Sequence, residues 1–246
     1  MELRDRVAVI TGGASGIGAA VTERLKHLGA RPVVWDVNPA AEVVCDVSDP
    51  ASVDAAIRRT VELTGVPTLA AVCAGVGHSG LLLDVPSGEW DRVMAVNLKG
   101  AWLSMRAIAG AMKDAGYGGA MSVVTSVSAR LVDRGMGTYC ASKAGLEMLV
   151  KVAAYEWAAH GIRVNAVGPG VTRTPMLGRA PETGMTAEVV ERTPLNRLGE
   201  AQDIAEAMTA LMTLDWVTGQ VVMADGGLSL YSPIDMFGAA QRHGIV

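Results

Sequence analysis

Short apolar runs alternate with longer helical patterns along the whole 246-residue chain, and this alternation limits the fold more than any other feature. The runs fall at residues 7–11, 32–35, 43–47, 69–73, 121–125, 162–167 and 221–224. Each is apolar on both faces, as a parallel strand covered by helices above and below is. Helical spacing falls near 17–28, 51–64, 90–115, 139–159 and 201–213. Parallel neighbours need crossovers, and crossovers are right-handed. The pattern therefore predicts an α/β fold with a doubly wound, mostly parallel sheet of seven strands and helices on both faces. A ligand would sit beyond the carboxyl ends of the strands. No stretch reads as a linker or repeat, so one domain is expected over 1–246, with 229–246 left over as a tail. One connection is short: six residues separate Asp36 from Val43, too few for a crossover helix, which leaves that flank of the sheet thinly covered.

Composition narrows the function classes. Half the residues are hydrophobic and the net charge is −4, which excludes disorder and supplies no basic excess for nucleic acid. With one Phe and 13 Met, the core must be built from Val, Ala, Leu and Met. Cys45, Cys73 and Cys140 form no CxxC pair, which fits a reducing compartment without disulfides. The four histidines are scattered, so no metal is expected. The N-terminus is charged and shows no apolar leader core. The longest uncharged stretch, 63–83, is broken by Gly65, Pro67, Gly75, Gly77 and Gly80. The expectation is a cytoplasmic protein without a membrane span. No P-loop and no G-x-S-x-G nucleophile turn occurs.

Thr11-Gly12-Gly13-Ala14-Ser15-Gly16-Ile17-Gly18 links the first strand to the first helix. Glycines here let the backbone turn sharply and let a pyrophosphate approach, while the helix N-terminus offers free N–H groups. Asp36 ends the second strand, 18 residues after Gly18. A carboxylate there accepts both ribose hydroxyls of an adenosine and repels a 2′-phosphate, which favours NAD over NADP. Asp46, after the third strand, is placed to meet the adenine amino group or to cap the following helix, for which Asp49 is better placed.

Tyr139 and Lys143 stand at i and i+4 on one helical face. A free tyrosine is a poor base at neutral pH; a nearby ammonium would lower its pKa and suit it to proton transfer with an alcohol oxygen. Ser126 lies 13 residues before Tyr139, and Asn97 lies within the helical pattern 90–115. With Thr11-Gly12, Gly16, Gly18, Asp46, Ala74-Gly75, Asn165, Pro169-Gly170 and Thr174, these residues make the chain resemble the short-chain dehydrogenase/reductase family over residues 1 to about 228. The resemblance implies a Rossmann-like domain. It implies Tyr139 as general acid–base, Lys143 on the nicotinamide ribose, Ser126 on the substrate oxygen and Asn97 holding a water of a proton relay. Cofactor contact would extend over Gly12, Ser15, Gly16, Ile17, Gly18, Asp36, Asp46, Val47, Cys73, Ala74, Gly75, Pro169, Gly170, Thr172 and Thr174. The chain departs from the family at Val72-Cys73-Ala74-Gly75, where Asn-Asn-Ala-Gly is usual; Cys73 reads as a small buried hydrophobe.

The segment 171–199 holds the family's substrate-loop position. Its Gly/Pro content and lack of periodicity suggest a lid, and Met176, Leu177, Pro181 and Met185 suggest an adaptable apolar pocket. Met136, Ser126 and Tyr139 would also face substrate, with Val76–His78, Val127, Asp133 and Gly137 nearby; Arg130 and Arg134 read as solvated. Ala101, Trp102, Met105, Ala109, Ala153, Ala154 and Trp157 exceed what one sheet can cover, and the resemblance implies a homotetramer or homodimer through these helices. Tyr231, Ile234, Met236, Phe237, Ile245 and Val246 give the tail apolar anchors for a neighbouring subunit. The leading expectation is an NAD-dependent enzyme acting on a small secondary alcohol or ketone. The alternatives are an NADPH-dependent 3-oxoacyl-carrier-protein reductase and a non-catalytic dinucleotide-binding sensor or scaffold.

Overall fold

The computed structural model describes residues 1–178, 184, 186–230 and 236–243. Its main sheet contains β1 (Val7–Thr11), β2 (Arg31–Asp36), β3 (Val43–Val44), β4 (Leu69–Val72), β5 (Gly119–Val124), β6 (Ile162–Pro169) and, later in the chain, β9 (Val221–Ala224). The spatial order is β3-β2-β1-β4-β5-β6-β9, with every pairing parallel. Strand order reverses at β1, so a crevice opens beyond the carboxyl ends of β1 and β4.

The central strands are buried at every position, which is why their sequences are apolar without alternation. Val9, Val33, Trp35, Ala70, Met121, Val123 and Val164 pack under α2 (Pro50–Thr64), α4 (Ala101–Asp114) and α5 (Gly137–Trp157). Ala8, Ile10, Leu69, Ala71, Val124 and Val167 face α1 (Gly16–His27) and α7 (Ala201–Thr213). The indole N–H of buried Trp35 donates to Thr60 Oγ1 at 2.8 Å. The Arg163 guanidinium reaches the carbonyls of Leu211, Met212 and Val217, satisfying the open end of α7. Asn165 staples β6 to the turn before β9, donating to Val217 O and accepting from Gln220 N–H.

The expected strands and helices are present, with three corrections. The third strand ends at Val44 because Asp46 folds the chain into an Asx turn, accepting from the Ser48 N–H at 2.9 Å. The helix expected over 90–115 begins earlier, as α3 (Ser87–Met94), and passes through a π-helical turn at Ala95–Gly100 before α4. The segment 171–199 is partly ordered: β7 (Thr172–Arg173) pairs with β8 (Gly199–Glu200), a 3₁₀ turn covers Pro175–Leu177, and α6 spans Ala187–Arg192. Its two ends are therefore fastened together. Pro181 and Met185 lie outside the described residues, as do Tyr231, Ile234, Ile245 and Val246 of the tail. The described part of the tail forms α8 (Met236–Arg242), with Met236 and Phe237 exposed.

The short connection after β2 has the consequence its length implies. Val34 is only half-buried, and a cavity of about 360 Å³ opens between α1 and the loop at 38–42, where a crossover helix would otherwise pack. Among the described residues, no helix is long and apolar enough to cross a membrane.

Candidate active site

The ends of β1, β4, β5 and β6 bring the motifs together. Thr11 Oγ1 accepts from the N–H groups of Cys73 and Ala74 at 3.1 and 3.2 Å, tying the end of β1 to the end of β4. Gly12 has φ +64°, and a Cβ there would stand 2.9 Å from the Ala74 backbone. A Cβ on Gly18 would lie 2.1 Å from the Gly12 carbonyl oxygen, so this contact admits no side chain. The tight turn leaves the N-terminus of α1 facing the crevice. Ser15 occupies the N-cap without a side-chain capping bond, and Ile17 packs on the core beside α1. Asp36 lies against the same turn: one carboxylate oxygen accepts from the Ala14 N–H and the other from the Asn38 N–H, each at 3.0 Å. Asp49, rather than Asp46, caps α2 through the Ala51 N–H. Val47 is buried against Gly100 of the π turn.

That π turn sets Asn97, which is fully buried. Its amide accepts from the Val76 N–H at 2.8 Å and donates to Val76 O at 2.9 Å, clamping the chain that leaves β4. It also donates to Ser142 Oγ at 3.1 Å, and Ser142 donates to the Tyr139 carbonyl at 2.8 Å. A π turn frequently marks a functional position, because it swings one side chain out of the helical register. Gly75 fills the gap between Asn97 and Lys143; a Cβ there would stand 3.5 Å from Asn97 Oδ1 and 3.7 Å from Lys143 Nζ.

Lys143 is buried on α5 and donates to the Val124 carbonyl at 2.9 Å; its Nζ lies 5.7 Å from the centre of the Tyr139 ring. Burial lowers its pKa to about 8, while burial pushes the adjacent Cys73 thiol up to about 12. A thiol held protonated is a packing group, as the sequence suggests. Ser126 Oγ accepts from the Ser128 N–H at 3.1 Å. In the chain without cofactor, burial raises the Tyr139 pKa, Ser126 partly offsets it, and Cys140 and Asp133 add to the rise.

Pro169 ends β6, and Gly170 packs on the Asp225 backbone, where a Cβ would meet Asp225 Cα at 2.9 Å. Thr172 Oγ1 donates to Gly170 O at 3.0 Å, and Thr174 lies beside Gly16. Met176 is exposed and Leu177 half-buried, and Leu81, Leu82 and Leu83 are exposed as well. His78 pairs with Glu89 at 3.2 Å, which removes it from the reacting groups. Arg130 is not simply solvated: it pairs with the nearly buried Glu147 at 3.1 Å. Sequence reasoning missed Ser142 and the Val124 carbonyl. Ser142 had a signal, lying one turn after Tyr139 on the same face; the backbone carbonyl had none. No group of three or more potential metal ligands occurs among the described residues.

A doubly wound parallel sheet with a glycine turn after its first strand, and a Tyr–Lys pair one turn apart beyond its fifth, defines a nicotinamide-dependent oxidoreductase. The comparisons agree. A family model described as "Enoyl-(Acyl carrier protein) reductase" matches residues 12–229. A (3R)-3-hydroxyacyl-CoA dehydrogenase of Canis lupus familiaris is 34% identical, covering 93% of this chain and 98% of its own. A (2S)-[(R)-hydroxy(phenyl)methyl]succinyl-CoA dehydrogenase subunit of Thauera aromatica is 32% identical, covering 94% and 100%. The ligand-free aldohexose dehydrogenase of Thermoplasma acidophilum superposes with a TM-score of 0.89 at 28% identity, covering 95% and 98%. The chain belongs to the short-chain dehydrogenase/reductase family.

Proposed function

We propose that the chain is an NAD-dependent enzyme interconverting a secondary alcohol and its ketone, with Tyr139 as general acid–base. The observation that carries this reading is the convergence of Tyr139, Ser126 and Lys143 at the end of β5, across the crevice from the glycine turn. Ser126 and Tyr139 both carry hydroxyls, so a substrate oxygen between them would meet two hydroxyl donors. Ser126 orients that oxygen. Tyr139 takes its proton in oxidation and returns it in reduction. Lys143 holds a positive charge beside the Tyr139 ring, and its remaining N–H donors are available to ribose hydroxyls. Asn97 fixes the loop at Val76 and the first turn of α5 together, and would thereby hold the relay in register. A bound nicotinamide would supply the hydride acceptor. The cradle fits a dinucleotide: Gly12 and Gly18 allow the close backbone approach, and α1 presents its N-terminus. Relatives named for hydroxyacyl-CoA and substituted succinyl-CoA substrates support a secondary alcohol as the reacting group.

Asp36 supports NAD over NADP. Each of its oxygens already accepts one backbone N–H and keeps a free lone pair for a ribose hydroxyl, and a 2′-phosphate would meet the carboxylate charge. Asp36→Ala is expected to reduce the NAD-over-NADP ratio of kcat/KM by about tenfold or more. An unchanged ratio would make Asp36 a turn residue only. NAD-linked oxidation across sugars, steroids, hydroxy acids and aryl alcohols tests the wider reading. Absence of turnover with either NAD or NADP would overturn it.

The same reading includes self-assembly. Ala101, Met105, Ala109, Ala153 and Ala154 are buried within the chain itself, which corrects the expectation that they make up the surplus surface. Met94, Leu98, Trp102, Met148 and Val152 instead line an open apolar groove of about 780 Å³ between α3–α4 and α5. A second copy would cover it, giving a homodimer or homotetramer. Met148→Glu would bury an unpaired charge there and is expected to lower the assembly mass seen by sedimentation. An unchanged mass would place the interface elsewhere.

A further inference from the structure

Arg130 and Glu147 form an ion pair that the chemistry above leaves unused. The Arg130 Nε–H donates to Glu147 Oε2 at 3.1 Å. Glu147 is 7% exposed, and its Oε1 is buried with no hydrogen-bond partner among the described residues. Its helix neighbours Leu146 and Val150 belong to the hydrophobic core. A carboxylate set into such a helix face with one oxygen unpaired costs stability that an apolar side chain of similar size would not. Packing therefore gives no reason for Glu147, whereas its place in the fold does.

The pair closes one side of a bracket around Ser126. Ser126 follows β5 and caps a 3₁₀ turn at Val127–Ala129. That turn is closed by its own bonds. The Ala129 N–H donates to Ser126 O at 3.0 Å, and the N–H groups of Arg130 and Leu131 both donate to Val127 O at 2.9 Å. Its position relative to α5 needs outside anchors. On one side, Lys143 donates to Val124 O at 2.9 Å, two residues before Ser126. On the other, Glu147 holds Arg130, four residues after Ser126. Glu147 stands one helical turn beyond Lys143, and Tyr139 one turn before it. The same helix thus carries Tyr139 and grips the chain on both sides of Ser126.

Building on the alcohol-oxidising reading above, we propose that Arg130 and Glu147 are positioning residues: their ion pair holds the Ser126 turn in register with Tyr139 and Lys143. Neither residue touches the substrate or the cofactor. Without the pair, the turn keeps only the Lys143 anchor, and the Ser126 hydroxyl leaves the spot where it orients the substrate oxygen. A displacement of about 1 Å at a reacting centre is enough to cost about 10²-fold in rate. The cofactor cradle is spared, because the glycine turn and Asp36 belong to the ends of β1 and β2.

The test compares the wild type with Arg130→Lys and with the double variant Arg130→Leu/Glu147→Leu, the latter also in a Ser126→Ala background. NAD-linked oxidation is measured on 1-phenylethanol, D-glucose and 3-hydroxybutyrate, NADH affinity by fluorescence titration, and stability by urea unfolding. The double variant leaves no unpaired charge behind, so its urea midpoint is expected at or above that of the wild type. Its kcat should nevertheless fall about tenfold or more, with NADH affinity unchanged. Arg130→Lys keeps the charge without the planar guanidinium and should retain part of kcat. In the Ser126→Ala background the double variant should lower kcat no further, since the pair acts through Ser126. Wild-type kcat in the double variant would overturn the proposal and leave the alcohol-oxidising reading intact. An equal fall with and without Ser126 would do the same, and so would a loss of NADH affinity in step with kcat, the mark of general loosening. No turnover of any of the three alcohols by the wild type with NAD or NADP would overturn both readings together.

Discussion

Tyr139→Phe is expected to lower kcat by about 10²–10⁴-fold in both directions, the range for losing a positioned general acid–base, with NAD affinity nearly unchanged. The ring is retained, so the packing of α5 against the sheet and the position of Lys143 beside the ring survive; only the hydroxyl is lost. On the proposed reading, cofactor contact would rest on the glycine turn, Asp36 and Lys143, none of which depends on that hydroxyl. The upward shift of the Tyr139 pKa adds a pH signature. Ketone reduction needs the protonated phenol, which burial favours, so its rate should fall as pH rises through the Tyr139 pKa. Alcohol oxidation needs the phenolate and should rise over the same interval. Steady-state kinetics against pH and calorimetric titration with NAD together check this. Retained turnover, or a variant whose residual activity keeps the wild-type pH profile, would assign the proton transfer to another group.

The positions of the site residues were more legible than their environments. Strands bury both faces, so β1, β4, β5 and β6 announce themselves as runs with apolar residues on both faces, and residues just past their ends must collect at one edge. Thr11, Gly75, Ser126 and Pro169 are all placed by that rule. Asn97 is a different case. Its position within a helical stretch was readable, but the π turn that rotates it towards Val76 was not, because a one-residue bulge barely disturbs apolar periodicity. The burial of Tyr139 was hidden for a related reason. Spacing places Lys143 on the same helical face, but how much water is withdrawn from both groups depends on loops contributed by β4, β5 and the segment before α5. Asp133 likewise stands six residues before Tyr139 in a loop with no periodicity, so nothing in its spacing reveals the bond to Ser128.

Lys143→Met is expected to leave the cofactor-free chain inactive yet more stable at neutral pH, with a stability gain that vanishes in alkali. Burial lowers the lysine from 10.5 to about 8, and only the Val124 carbonyl is bonded to it within the described chain. Between those two values the unfolded lysine is protonated and the folded one is not, so unfolding takes up a proton and wild-type stability rises with pH across this window. Below about 8 both forms carry the proton and the burial penalty is felt in full; above 10.5 neither does and the penalty is gone. A shift of this size corresponds to about 3 kcal/mol, from which losing the bond to Val124 O subtracts roughly 1 kcal/mol at every pH. The urea midpoint of the variant should therefore exceed that of the wild type at pH 7, and the difference should shrink towards pH 10.5. Both proteins must be held at one concentration, because self-assembly would otherwise move the midpoints. A difference that stays constant with pH would show that Lys143 is not strained by burial. A closing difference would mean that the fold tolerates an unfavourable buried cation at neutral pH, which packing alone would replace with an apolar side chain; on the proposed reading, that cation is kept for the charge it would place beside Tyr139.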